Sequence, residues 1–168
     1  MKNLFLFHPL LVLLILFQGL AWGQNSEDVV KKGYGYVFAT PGAAVSNGSA
    51  ASTLTIGGGG EGLLRGGLGV GVDVGYLFFT QHGIREGFGL FSPGAFYQFR
   101  RSQKVVPFVG GGYSLAFRSD VLNMVHFGGG FNYWPKNRWG LRFEVRDHLA
   151  PSSPDLNLIE FRIGLLFR

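Results

Sequence analysis

From residue 33 to the end of the chain, apolar side chains recur at every second position, in eight separate runs. The pattern is sharpest at the C-terminus. There Trp139, Leu141, Phe143 and Val145 interleave with Gly140, Arg142, Glu144 and Arg146. After Ala150-Pro151-Ser152-Ser153-Pro154, Ile159, Phe161, Ile163, Leu165 and Phe167 interleave with Glu160, Arg162, Gly164 and Leu166. A period of two marks a strand whose faces meet different surroundings. Earlier runs repeat it. Residues 33–40 set Tyr34, Tyr36 and Phe38 on one face, and residues 53–56 lead into a glycine run. Leu68, Val70, Val72, Val74, Tyr76 and Phe78 oppose Gly69, Gly71, Asp73 and Gly75, and further strands are predicted over 87–100, 105–118 and 124–134. Short turns at 63–66, 101–104 and 135–138 alternate with longer loops at 46–49, 80–86, 119–123 and 150–154. An even strand count returns both ends of the array to the side of the short turns.

Two folds suit such a pattern. In a soluble sandwich or barrel the apolar face meets a core and the other face meets water. In a transmembrane barrel the apolar face meets lipid, and the polar face lines the lumen. Three features favour the membrane. The apolar face is rich in aromatics. The opposite face is largely glycine, which neither fills nor solvates a soluble surface but makes room in a narrow barrel. The segments run to roughly 10–13 residues, enough for a tilted strand to cross a bilayer. The predicted fold is therefore all-β, an eight-stranded antiparallel up-and-down transmembrane barrel. Tyr97, Phe99, Tyr133, Trp134, Trp139 and Phe167 gather beside the short turns, where an interfacial aromatic girdle belongs.

Residues 1–23 add a basic start, an apolar stretch and the small-x-small site Ala21-Trp22-Gly23, which together predict a secretory signal cleaved before Gln24. An uncleaved membrane anchor is the plainer alternative. Residues 24–32 are polar and without period, a short periplasmic lead, and the barrel domain spans 33–168. The chain has no cysteine, which excludes a lipoprotein anchor and disulfides. Its net charge of +5 falls to +4 without Lys2, and no basic run exceeds two residues, so nucleic acid is not an expected partner.

Candidate chemistry is sparse. Gly57-Gly58-Gly59-Gly60-Glu61-Gly62 matches a dinucleotide fingerprint formally, but no helix or later acidic partner accompanies it. Asn47-Gly48-Ser49 matches a glycosylation acceptor, which a bacterial outer-membrane protein does not ordinarily use. His82, His126 and His148 lack metal-ligand spacing. No cofactor, metal or catalytic set is expected. Parity turns Glu61, Asp73, Arg142, Glu144, Arg146, Glu160 and Arg162 inward. Charges in low-dielectric surroundings must pair, so these seven are expected to form a lumenal salt-bridge network that fills the barrel.

The leader, the eight alternating runs and the closing Phe161-Arg162-Ile163-Gly164-Leu165-Leu166-Phe167-Arg168 resemble the small OmpA-like outer-membrane barrels of Gram-negative bacteria. The resemblance implies a monomeric integral outer-membrane protein with both termini periplasmic, in contact with outer-membrane lipid and lipopolysaccharide. It also implies recognition of the last strand by the barrel assembly machinery, which in that family reads a terminal aromatic; here Phe167 is penultimate and Arg168 last. A weaker likeness is to lipid A deacylase barrels, which carry a serine two residues after a histidine. Arg146-Asp147-His148-Leu149-Ala150 has the histidine but an alanine at that place, with Ser152 and Ser153 at other spacings. The expectation is a non-enzymatic barrel with a structural or surface-interaction role. The alternatives are a lipid A-modifying hydrolase and a secreted soluble barrel binding an apolar ligand.

Overall fold

The computed structural model describes residues 33–81, 86–99, 104–136 and 138–168. The expected leader and periplasmic lead lie outside them, as does most of the 80–86 loop. The strands are β1 (Gly33–Ser46), β2 (Ser49–Leu63), β3 (Leu68–Phe79), β4 (Phe88–Gln98), β5 (Val105–Phe117), β6 (Val121–Tyr133), β7 (Trp139–Leu149) and β8 (Asn157–Phe167). Each pairs antiparallel with its sequence neighbour, and β1 pairs with β8 to close the barrel.

Eight strands are what the pattern predicted, but their lengths differ. β1 runs six residues past the expected 33–40, because Ala43-Ala44-Val45 pairs on both sides, with β2 and β8. It ends in a two-residue turn where Asn47 and Gly48 both have positive φ, 49° and 76°. Such a turn matches the twist of paired strands, and Asn-Gly adopts it at little cost. The glycine run 57–60 continues β2, and β6 starts at Val121, three residues early, by pairing with Phe117.

The outward face is apolar around the whole circumference. Val37, Ile56, Val74, Val109, Phe127, Val145 and Phe161, from seven different strands, are all at least 49 % exposed. Asp147 is the one charged residue at an outward strand position among the described residues. Soluble monomers rarely expose contiguous apolar surface beyond a few hundred Å².

Inside, the expectation of aromatics outward and glycine inward fails in β1. Tyr34, Tyr36 and Phe38 point into the barrel and are nearly fully buried. They belong to an apolar cluster at the short-turn end with Leu63, Phe96, Val106, Trp134 and Leu166. A second cluster, Leu90, Ala116, Met124 and Ala150 with Phe88, Leu122 and Leu156 against it, closes the loop end. The polar lumen lies between these plugs.

Candidate functional site: the lumenal ion network

The site is built on three successive inward positions of β7. Alternate residues of a strand share a face about 7 Å apart, within reach of a guanidinium. Arg142 Nε and Arg146 Nε therefore donate to the two oxygens of the carboxylate between them, Glu144, at 2.9 and 2.8 Å. Their remaining nitrogens reach across the lumen. Arg142 donates to Glu61 on β2 at 2.5 Å, and Arg146 to Asp73 on β3 at 2.6 Å. Arg162 on β8 completes the set, 2.7 Å from Asp73 and 3.8 Å from Glu144. Three guanidiniums thus face three carboxylates, all at most 6 % exposed. Such buried ions are held by geometry and mutual charge, since neither partner has water to fall back on.

Aromatic residues frame the network. Tyr34 donates its hydroxyl to Glu61 and Tyr36 to Asp73. Gln98 and Asn132 in turn donate to the Tyr34 oxygen at 2.7 and 3.2 Å. The Arg142 guanidinium lies 4.0 Å from the Phe108 ring centre and Arg162 lies 3.9 Å from that of Phe38. Stacking of this kind offsets part of the cost of burying a cation.

The strands beside these side chains must be thin. Gly128 and Gly130 on β6 stand beside Arg146 and Glu144 in the register. A Cβ on Gly130 would collide with Phe143 O and come within 2.8 Å of the Glu144 Cα. On β2, a Cβ on Gly59 would sit 2.6 Å from Asp73 Oδ1 and 2.9 Å from the Tyr36 ring. Beside the network remains a cavity of about 30 Å³, lined in part by Gly71, Gly94, Gly110 and Gly111. That is room for a water molecule or two and no more.

Glu160, expected in the same network, stands apart from it. Its carboxylate accepts from Thr55 at 2.6 Å and pairs with His148 Nε2 at 3.1 Å, nearer the loop end. His148 and His126 have ring centres 5.5 Å apart, and His126 Nδ1 is 2.8 Å from Ser114 Oγ, itself 2.8 Å from Ser92 Oγ. These groups are at most 5 % exposed and face the lumen. No group of three or more potential metal ligands occurs among the described residues.

The aromatics named from the sequence divide. Tyr97, Phe99, Tyr133, Trp139 and Phe167 point outward and are 37–43 % exposed. Trp134 does not belong with them. It turns inward, 9 % exposed, edge-on to Tyr34 at 5.6 Å, with the Arg168 guanidinium 3.9 Å over its ring. It lies one position past β6 on the inward parity, and it plugs the barrel rather than anchoring it. The sequence reading missed Tyr34, Tyr36, Gln98, Asn132, Ser92, Ser114 and Thr55. The available signal was that each shares its strand's parity with an inward glycine or charge.

No protein-family model matches the chain, and no curated protein matches it. Solved structures do. Neisserial surface protein A superposes with a TM-score of 0.63 at 16 % identity, over 80 % of this chain and 96 % of that one. The N-terminal β-barrel domain of Pseudomonas aeruginosa OprF gives 0.58 at 16 % identity, over 81 % and 98 %. The outer-membrane enzyme PagL gives 0.53 at 17 % identity, over 79 % and 99 %. These neighbours are outer-membrane barrels, and this chain has their closed, eight-stranded, all-antiparallel fold. They include an enzyme beside a surface protein, so the shared fold does not select a chemistry.

Proposed function

We propose that the protein is an integral outer-membrane β-barrel without enzymatic activity, whose role is structural or one of surface interaction. The observation that carries this reading is the inversion of the fold's two faces. The outside is apolar on every strand, and the inside holds an ion network sealed between two apolar plugs. The apolar outside calls for lipid, including the lipopolysaccharide of the outer leaflet. The sealed inside supports a structural rather than a conducting lumen. In this orientation the short turns and both chain termini face the periplasm, and the exposed Phe167 face of β8 is offered to the barrel assembly machinery.

The alternatives lack such support. A soluble carrier of apolar ligands needs an apolar cavity, whereas the lumen is charged and nearly full. A deacylase needs a histidine, with its nucleophile, open to the lipid side. His148 is fully buried in the lumen and bonded to Glu160.

Membrane fractionation followed by electrophoresis of cold and boiled samples tests the reading. The protein should partition with outer membranes and migrate differently before and after boiling, because a folded barrel resists detergent until heated. Recovery in the soluble periplasmic fraction with one heat-independent mobility would refute it.

A further inference from the structure

The charges outside the lumen are unevenly placed. The short turns contain Arg65 in the first, Arg100, Arg101 and Lys104 in the second, and Lys136 and Arg138 in the third, with Arg168 closing the chain beside them. No acidic residue occurs in these segments, whereas the loops at the other end carry Glu86, Asp120 and Asp155 against Arg85 and Arg118. On the described part of the short-turn rim, Lys104, Lys136, Arg138 and Arg168 are all exposed, and no salt bridge to any of them occurs among the described residues.

These four residues are gathered by the backbone. Trp134 N donates to Lys104 O at 2.7 Å, Arg168 N donates to Arg138 O at 3.0 Å, and the Arg168 guanidinium covers the Trp134 ring. Just inside them on the outward face stand Tyr133, Trp139 and Phe167, each more than a third exposed. Trp139 and Phe167 are direct partners across the β7–β8 ladder. Cations with no carboxylate partner among the described residues therefore sit one step beyond a patch of lipid-facing rings, at a single level around β5 to β8.

From this juxtaposition we infer that the short-turn rim is a binding surface for the headgroups of anionic phospholipids, with Lys136 and Arg138 at its centre. The inference rests on the membrane-spanning reading above. Interfacial rings fix the depth at which the barrel floats, and so hold the cations at the level of the headgroup phosphates. An acidic soluble protein would need no lipid-facing rings beneath the cations. A zwitterionic headgroup carries its own cation, so the rim discriminates by net charge.

The barrel offers its own probe. Of three tryptophans, Trp134 and Trp139 lie at this rim and Trp22 lies in the expected leader. The full-length chain carrying Trp22→Phe is refolded into phosphatidylcholine vesicles in which a fixed fraction of the lipid is brominated. The brominated lipid is phosphatidylglycerol in one series and phosphatidylcholine in the other. Bromine quenches tryptophan on contact, so the ratio of quenching measures which lipid occupies the rim. The expected result is a preference of roughly fivefold for the anionic lipid, the factor that one basic side chain near a charged surface gives. It should shrink with salt as screening shortens the range, and it should fall to near unity in Lys136→Gln/Arg138→Gln. The variant's unchanged cold-to-boiled mobility shift would show that the barrel itself is intact.

Equal quenching by the two lipids in the unsubstituted rim would overturn the inference while leaving the barrel in the membrane. So would a preference that the double variant retains. A preference abolished by millimolar inorganic phosphate at constant ionic strength would assign the rim to a free anion instead. Absence of quenching by either lipid would remove Trp139 from the bilayer, and with it the membrane-spanning reading on which the inference stands.

Discussion

The lumenal network makes a quantitative prediction at the Arg142–Glu61 pair. Arg142 is 2 % exposed, lies 2.5 Å from Glu61 and 2.9 Å from Glu144, and rests against the Phe108 ring. Arg142→Met keeps the length and the apolar stem but leaves three carboxylates facing two guanidiniums. Glu61 would then retain only the Tyr34 hydroxyl. Glu61→Gln errs the other way, with three guanidiniums facing two carboxylates. Each single change strands a buried charge, which costs about 3–5 kcal/mol. The double change restores two against two, Arg146 and Arg162 against Asp73 and Glu144, whose mutual contacts at 2.6–3.8 Å are untouched. It should therefore be more stable than either single variant, which requires the coupling of the pair to exceed the cost of the costlier single change.

Urea titration of protein refolded in detergent, followed by tryptophan fluorescence, measures all four corners of the cycle. The single changes are a large share of a typical folding stability of about 5–15 kcal/mol, so their midpoints should move well outside error. Single effects within about 0.5 kcal/mol of the unsubstituted chain would mean that water solvates these charges, as at a protein surface. A double variant that costs the sum of the two singles would mean that the pair is not coupled. Either result would refute a sealed, paired lumen.

Further outcomes are expected. Arginine in place of Phe161, 58 % exposed, should cost about 2–4 kcal/mol in lipid vesicles if that position is near mid-bilayer, and little if the outside met water. Gly59→Ala, whose methyl would press on Asp73 and Tyr36, should destabilise by about 1–3 kcal/mol in the same titration. Gly60→Ala, where the nearest atom is 3.8 Å away, should be close to neutral; equal effects would show that the inward glycines are not packing requirements. Intact-mass measurement of secreted protein should place the N-terminus within a residue or two of Gln24, and retention of residues 1–23 would restore the anchor alternative. His148→Ala should leave lipid A acylation unchanged in a host that expresses the barrel; acyl loss with the unsubstituted protein and not with the variant would establish an enzyme.

Much of this fold could be read in the chain because a strand's period is two, so neighbouring residues cannot share a face. Arg142, Glu144 and Arg146 share one face for that reason alone, and the apolar residues of β7 and β8 share the other by the same rule. Strand ends were less legible. Ala43-Ala44-Val45 and Val121-Leu122-Asn123 carry little alternation; the first extends by pairing with β8, more than a hundred residues away, and the second by a tight hairpin with the end of β5. The partners within the network were not legible at all. Asp73 meets Arg146 and Arg162 across the barrel, 73 and 89 residues away, and only closure brings them together.

The turning of β1 shows where the reasoning by parity stops. Gly33-Tyr34-Gly35-Tyr36-Val37-Phe38 alternates clearly, but alternation says which residues share a face and not which face is inside. Rings outward would suit lipid, and two tyrosines beside glycines fit that as well as the arrangement found. The flanking strands make the choice. Gly57 and Gly59 on β2, with Gly164 on β8, leave the volume that Phe38 and Tyr36 occupy; a Cβ on Gly57 would lie 2.6 Å from the Phe38 ring. On the neighbouring strands β2 and β3, Glu61 and Asp73 each have a carboxylate oxygen that the arginines leave free, and each takes a tyrosine hydroxyl there. With the rings turned out, that space would be empty and those two oxygens would be buried without a donor, at a cost of about 1–3 kcal/mol each. The orientation of β1 is thus set by glycines in β2 and carboxylates in β2 and β3, which is why no reading confined to β1 could find it.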